Sequence, residues 1–192
     1  MKTLSTALLA LAAAGLLAAT PAGAQTAARL VPAQSDVSFS IKQMGVPVDG
    51  KFRKFDAQVS LDPKKPEAGK VAFTIDIASA TMGNPESDAE LPKAPWFNTA
   101  KFPQATFQST SIKALGGGKF EVAGKLGIKG AAKDVTVPVT LAQSGATSTA
   151  TGAFAIKRLD FKIGEGEWTD TSMVANDVQV KFKLVLTGIA PL

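Results

Sequence analysis

The chain has 192 residues, a net charge of +5, and neither histidine nor cysteine. This composition excludes Ser–His and Cys–His catalysis, disulfide bonds, and zinc or haem sites with His or Cys ligands. The lysines are scattered and do not alternate with aromatic residues, which argues against a nucleic-acid-binding groove. We therefore predict a protein with no catalytic residues, no metal site, no cofactor and no nucleic-acid partner.

Closely spaced carboxylates leave one enzymatic alternative. Asp88 lies two residues before Glu90, and Glu165 lies two residues before Glu167. A carboxylate in an apolar pocket can have a raised pKa and act as an acid or base. Such pairs are also common on exposed loops, so a carboxylate-based hydrolase is the less favoured interpretation.

The N-terminus has the three-part layout of a secretory signal peptide. Lys2 supplies positive charge, residues 4–19 are mostly Leu, Ala and Gly, and Ala22-Gly23-Ala24 offers small residues at a cleavage site. The apolar run is short for a membrane span, so a retained anchor is the less favoured alternative. We predict a signal peptide over residues 1–24 and a single exported, periplasmic domain over residues 25–192.

The rest of the chain is dominated by an alternation of apolar and polar residues with a period of two. This pattern is typical of strands with one buried face. The alternating runs lie at 37–42, 55–61, 71–77, 105–109, 120–128, 135–141, 150–156 and 178–187. The sequence therefore predicts about eight strands.

Glycines mark several of the connections between these runs. Gly116-Gly117-Gly118 supplies the positive φ angles that a short hairpin needs, and Gly130 begins another tight connection. Strands that are joined by such short turns must run antiparallel.

One insertion, residues 84–98, lacks the alternation. Asn84 can cap a short helix that begins at Pro85. The apolar residues Leu91, Trp96 and Phe97 give the insertion an apolar side, which predicts that it covers part of the sheet.

About eight amphipathic antiparallel strands favour a barrel or a two-sheet sandwich. A closed barrel of eight strands can hold one slender ligand, and closure removes exposed sheet edges. The period does not show which face points inward, so an outer-membrane barrel is a further alternative. The chain has no tyrosine and only two tryptophans, which argues against the aromatic girdles of such a barrel.

The insertion and the strand after it contain three specific segments: DAELPK at 88–93, WFN at 96–98 and KFPQATFQST at 101–110. These segments resemble the YceI-like family of bacterial periplasmic proteins, which bind polyisoprenoids or related lipids. No single motif is decisive, but the order and spacing of the similar segments are. These segments are 88–93, 96–98, 101–110, 35–39, 50–52, 76–79, 124–130, 135–139 and 158–161.

The resemblance implies an all-β fold: an eight-stranded antiparallel lipocalin-like barrel with one short helical insertion and an isoprenoid chain in its apolar lumen. We select apolar residues of the strands and of the insertion as candidate ligand-binding residues, each of which is equally compatible with ordinary core packing. They are Phe39, Phe73, Ile75, Leu91, Trp96, Phe97, Phe107, Val122, Phe154 and Phe182.

The insertion departs from the family pattern, because many members have Arg and His where this chain has Ser87 and Glu90. Asp88 and Glu90 at the rim of the lumen would repel a pyrophosphate. A neutral isoprenoid, such as a quinone or a free prenol, is therefore the expected ligand, with other long-chain lipids as alternatives.

Two functional interpretations remain open. In the first, the protein binds the lipid as a carrier, a store or a redox-linked accessory. Some relatives resemble domains associated with b-type cytochromes, which makes such a cytochrome a candidate partner. In the second, the domain is a structural or interaction module that supports a membrane redox partner and holds no ligand.

Overall fold

The computed structural model describes residues 27–192, so the predicted signal peptide lies outside the described residues. The described chain forms eleven β-strands and one α-helix, with short 3-10 turns between them. In chain order the elements are β1 (Arg29–Leu30), β2 (Asp36–Gln43), β3 (Val46–Phe52), β4 (Phe55–Ser60), β5 (Lys70–Asp76), β6 (Ala80–Thr81), α1 (Pro85–Glu90), β7 (Gln104–Gly116), β8 (Lys119–Ile128), β9 (Ala131–Ser144), β10 (Thr147–Lys157) and β11 (Val174–Thr187). No helix of this part of the chain is both long and apolar enough to cross a membrane.

All strands belong to a single curled antiparallel sheet. The order of hydrogen-bonded neighbours is β4-β5-β7-β8-β9-β10-β11-β2-β3-β6, and β1 pairs with β11 outside this path. β4 at one end of this path and β3 next to the other end are consecutive in the chain and are separated only by Arg53 and Lys54. β3 and β4 therefore form one bent strand that reaches both ends of the path, and the sheet closes into a barrel instead of the alternative two-sheet sandwich.

Main-chain hydrogen bonds continue the pairing across this bend. The Asp76 N–H donates to the Lys54 carbonyl at 3.0 Å, and the Arg53 N–H donates to the Ser79 carbonyl at 3.2 Å. Beyond the bend β6 pairs with β3, with Ala80 opposite Phe52. The segments β5 and β6 thus act as one interrupted strand beside the interrupted strand β3–β4.

The predicted eight-stranded barrel is confirmed, but the count of assigned strands differs. Eight long strands result when β3 is joined with β4, β5 is joined with β6, and the two-residue β1 is left aside. The sequence analysis missed β3 because Pro47 and Gly50 interrupt its apolar pattern. It missed β1 because two residues cannot show a period.

The expected hairpins are present. The turn between β7 and β8 contains Gly117 and Gly118, with φ of 59° and 74°. The turn between β8 and β9 contains Lys129 and Gly130, with φ of 49° and 77°. Two consecutive positive φ angles match the twist of an antiparallel pair, as predicted for short hairpins.

The short helix is also as predicted. The side-chain oxygen of Asn84 accepts hydrogen bonds from the Glu86 N–H at 2.8 Å and the Ser87 N–H at 3.4 Å. Pro85 takes the first helical position, where its missing N–H costs nothing. The segment after α1 then crosses one end of the barrel, where Leu91 and Phe97 are buried.

Two apolar clusters occupy the interior of the barrel. The larger includes Val37, Val59, Phe120 and Leu186. The smaller lies under the insertion and includes Ile77, Leu91, Phe97, Leu126 and Phe161. The alternating apolar side chains of the strands point into the lumen, which answers the question that periodicity alone left open.

Candidate ligand-binding site

The barrel contains a cavity of about 440 Å³. This volume falls in the range of about 300–1,000 Å³ that is usual for small-molecule sites. The lining is almost entirely apolar. Its polar side chains are Gln43, Ser87, Glu90 and Arg158.

All ten predicted ligand-binding residues lie in this lining. Seven come from strands: Phe39, Phe73, Ile75, Phe107, Val122, Phe154 and Phe182. The other three, Leu91, Trp96 and Phe97, come from the insertion. The strand phenylalanines are half-buried because one side of each ring borders the lumen. Their contact with a ligand stays a prediction.

The sequence analysis missed a set of methionines at the mouth of the cavity. Met44, Met82 and Met173 all belong to the lining. Met44 is 71% exposed and Met173 is 46% exposed, and the Met44 N–H donates to the Met173 carbonyl at 2.8 Å. Flexible thioether side chains adapt to ligands of irregular shape. These residues lie in connections, where no periodic pattern could reveal their direction.

Asp88 does not lie in the lining. Its two carboxylate oxygens accept hydrogen bonds from the Thr81 hydroxyl and the Met82 N–H, both at 2.6 Å. These two donors hold the pKa of the Asp88 carboxyl below its usual value. Asp88 therefore fastens α1 to β6, and its placement gives no support to the rim role predicted for it.

Glu90 does lie in the lining, as expected of a rim residue. It forms an ion pair with Lys93, which is also at the surface. The positive charge of Lys93 offsets part of the negative charge that Glu90 brings to the mouth. The electrostatic repulsion of anions at this rim is therefore smaller than the sequence suggested.

Arg158 is the one cation among the lining residues, and it is 1% exposed. Its burial lowers the pKa of the guanidinium from its ordinary value, although an arginine stays charged in proteins. All five of its N–H groups donate to main-chain carbonyls, over 2.6–3.1 Å. The acceptors are the carbonyls of Ile163, Gly164, Trp168, Val174 and Ala175. Because a guanidinium has five N–H donors, none remains for a ligand.

A second buried cation, Lys129, joins the two segments that cover this end of the barrel. Its ammonium group donates to the carbonyls of Ala94 at 2.9 Å, Pro95 at 3.2 Å and Lys162 at 2.6 Å. It also donates to the Glu165 carboxylate at 2.8 Å, which holds the pKa of that carboxyl below its usual value. The insertion is thereby tied to the segment between β10 and β11.

The same two segments bring the two tryptophans together. The rings of Trp96 and Trp168 have centroids 5.3 Å apart, and both residues line the cavity. The indole N–H of Trp96 is buried without a hydrogen-bond partner, the sole such side-chain group within residues 27–192. Trp96 therefore brings an apolar ring and one unpaired N–H donor to the lining.

A closed antiparallel barrel with a ligand-sized apolar lumen defines the class of lipocalin-like binding barrels. Within this class the sequence matches one family over almost all of the described residues. The model of the YceI-like domain covers residues 29–186, and the chain belongs to this family.

Curated relatives show the same similarity. Protein YceI of Escherichia coli O157:H7 is 39% identical over 110 residues, which is 57% of each chain. A UPF0312 protein of Azotobacter vinelandii is 38% identical over 102 residues, or 53% of each chain. The chain thus spans about half the length of the curated relatives it matches.

Solved structures match over a larger share of the chain. BcnA of Burkholderia cenocepacia has a TM-score of 0.79 and 50% identity, covering 81% of this chain and 98% of BcnA. The YceI protein of Campylobacter jejuni has a TM-score of 0.66 and 26% identity, with coverage of 72% and 83%. A polyisoprenoid binding domain from Saccharophagus degradans, implicated in plant cell wall breakdown, has a TM-score of 0.67 at 19% identity and covers 85% of this chain and 98% of that one. This last likeness shows the fold alone.

We expect Arg158→Met to lower the free energy of unfolding by at least about 3 kcal/mol, because several buried carbonyls would lose their donor. Urea unfolding, followed by circular dichroism, measures the change. Lys157→Met is the matched control, since Lys157 is exposed and pairs only with the exposed Asp177. It should cost less than about 1 kcal/mol. Equal stability of the two variants would contradict the structural role of Arg158.

We expect Asp88→Ala to destabilise the protein at neutral pH but not in acid. The folded pKa of Asp88 is lowered, so its contribution is present above the unfolded value of about 3.9 and disappears as the pH falls through the folded value. Urea unfolding at pH 7 and at pH 2–3 should show the difference from wild type shrinking in acid. Glu86→Ala, on the same helix, is the control. A difference that is independent of pH would rule out this explanation.

Proposed function

We propose that the protein binds an isoprenoid or a related amphiphilic lipid in the lumen of the barrel. The observation that carries the proposal is the apolar cavity of about 440 Å³. Each CH₂ group taken out of water contributes about 0.8 kcal/mol, so a long apolar chain gains substantial free energy there. A protein with the same fold, from Saccharophagus degradans, is a polyisoprenoid binding domain, which supports this assignment.

The half-buried rings on the walls are the proposed contacts of the apolar chain. Phe39, Phe107 and Phe182 border the lumen from three different parts of the sheet. Trp96 and Phe97 of the insertion would contact the ligand near the mouth. Glu90, the one carboxylate of the lining, is paired with Lys93, and the chain has no histidine to activate the Ser87 hydroxyl, so we infer binding without catalysis.

We further propose that the ligand has a neutral headgroup, such as a quinone or a free prenol. A pyrophosphate needs a free cation or several free N–H donors. Arg158 has no free donor, and the other charged lining residue, Glu90, is negative. The main support for this proposal is that the lining has no free cation. Repulsion of an anionic headgroup by Glu90 supports it less, because Lys93 offsets the charge of Glu90.

The role of the complex is proposed as that of a carrier or store. The exposed side chains of Met44 and Met173 continue the apolar lining out to the surface. A lipid could therefore enter without the barrel opening. If the ligand is a quinone, the protein would serve a membrane redox enzyme, and a b-type cytochrome is the proposed partner.

The headgroup proposal is tested by competition between geranylgeraniol and geranylgeranyl pyrophosphate, which share one tail. Both tryptophans line the cavity, so tryptophan fluorescence reports binding. We expect the alcohol to bind at least about tenfold more tightly, a difference of about 1.4 kcal/mol. Glu90→Gln should raise the affinity for the pyrophosphate by less than about fivefold, because the side chain is 49% exposed.

The outcomes of this assay separate the two levels of the proposal. Equal affinity for both lipids would remove the neutral headgroup and leave lipid binding in place. No binding of either lipid, together with no lipid in organic extracts of the purified protein, would remove lipid binding. The domain would then be an interaction module without a ligand.

We also propose that the chain is exported to the periplasm. The support is the layout of Lys2, the apolar run and Ala22-Gly23-Ala24. Mass spectrometry of the protein from the periplasmic fraction of the producing cell should give a mature chain that starts at Gln25. A full-length product in the inner membrane would contradict export by a cleaved signal.

A further inference from the structure

We propose that three glycines keep the lumen open by letting phenylalanine rings lie flat on the barrel wall, and that Gly50 thereby sets the width of the lipid chain the cavity admits. The other two are Gly124 and Gly152. The inference rests on the proposed lipid-binding function and adds to it the residues that select the cross-section of the ligand.

Each glycine lies directly beneath the ring of a phenylalanine that lines the cavity. A Cβ atom on Gly50 would be 2.2 Å from Cζ of Phe39. On Gly152 it would be 2.4 Å from Cζ of Phe182. Carbon atoms normally approach to about 3.5–4.0 Å. The rings therefore occupy space that a side chain would fill in any other residue.

The third pair has the same arrangement. A Cβ atom on Gly124 would be 2.5 Å from Cζ of Phe107. The three pairs lie across β2 and β3, across β7 and β8, and across β10 and β11. They are thus spread around the barrel, and each places a flat ring on a different part of its wall.

The flat position matters because side chains in a strand normally stand perpendicular to the sheet. Upright phenylalanines on three walls would extend into the lumen and narrow it. Phe120 shows the contrast: it faces Val139 and Ala114 instead of a glycine, is 4% exposed, and belongs to the closed core. Phe73 and Phe154 also border the cavity, opposite Ala57 and Val180, so a glycine is not needed at every lining ring. The flat position over a glycine is specific to Phe39, Phe107 and Phe182.

Gly50 is the position where this idea can be tested cleanly. The three atoms nearest to a Cβ there all belong to the Phe39 ring. At Gly124 and Gly152 a Cβ would also lie 2.4 Å and 2.6 Å from main-chain oxygens, so substitution there would disturb the sheet itself. At Gly50 the closest atoms, which must move first, belong to the ring. The Phe52 ring, with its centroid 5.3 Å away, limits sideways movement and leaves the lumen as the available direction.

A ring that moves into the lumen should discriminate between lipids by their width. An isoprenoid carries methyl branches along its chain, whereas a straight alkyl chain is slimmer. Geranylgeraniol and hexadecanol are suitable probes, because both are alcohols with main chains of equal length. Narrowing the lumen should weaken the branched alcohol more than the straight one.

The experiment measures the affinities of both alcohols for wild type and Gly50→Ala by tryptophan fluorescence. We expect Gly50→Ala to lower the affinity for geranylgeraniol about tenfold more than that for hexadecanol. The double variant Gly50→Ala with Phe39→Leu removes the displaced ring and should restore the wild-type preference. The matched control is Gly127→Ala, a strand glycine outside the lining whose nearest neighbour would be Oγ1 of Thr106 at 3.2 Å. It should leave both affinities unchanged.

If Gly50→Ala does not fold, Phe39→Leu alone tests the inference, because it replaces the ring with a smaller side chain and widens the lumen. A wider lumen should shift the preference toward geranylgeraniol. If the ratio of the affinities for the two alcohols is unchanged in a folded Gly50→Ala or in Phe39→Leu, the inference is wrong. The proposed function still stands in that case, provided that wild type binds either alcohol. If wild type binds neither alcohol, the proposed function itself fails.

Discussion

Main-chain pairing around the bend at Arg53 and Lys54 is the interaction on which the rest of the structure depends. It joins the two ends of one sheet, so each of the eight long strands, with β3 joined to β4 and β5 joined to β6, has a partner on both sides. A protein interior is normally stabilised by close packing of side chains. The side chains of this barrel leave a cavity in its interior. Packing alone would therefore not maintain the shape, and the main-chain hydrogen bonds between the strands must do so. The two apolar clusters around the cavity supply the burial of the interior.

The long connections at the mouth of the barrel are a second constraint. Their main-chain carbonyls have no neighbouring strand to donate hydrogen bonds to them. A chain with no cysteine cannot fix such segments with disulfides. The buried cationic side chains of Arg158 and Lys129 donate hydrogen bonds to these carbonyls instead. Both use up their donors in doing so, and the site is left with an apolar lining. The same contacts that order the mouth therefore also leave Arg158 without a free donor in the cavity.

The sequence predicted the walls of the site better than its mouth. Alternation with a period of two places Phe39, Phe73 and Phe182 on the apolar, inner face of the sheet. This placement does not depend on the conformation of the turns. Asp88 shows the opposite case: its partners, the Thr81 hydroxyl and the Met82 N–H, approach through a turn that no period describes. Arg158 looked like one of many scattered surface cations, because the sequence does not reveal how many carbonyls converge on a side chain.

Glycines illustrate why the lumen itself could not be predicted. In the sequence Gly50 weakens a strand pattern and suggests a break, and Gly124 and Gly152 look like small residues in alternating runs. Their effect depends on register, since Gly50 acts only because Phe39 lies directly opposite on the next strand. A shift of one residue would turn the ring to the other face of the sheet. The capacity of the barrel for a ligand thus depends on pairs of residues across strands, and the fold and the site are consequences of the same register.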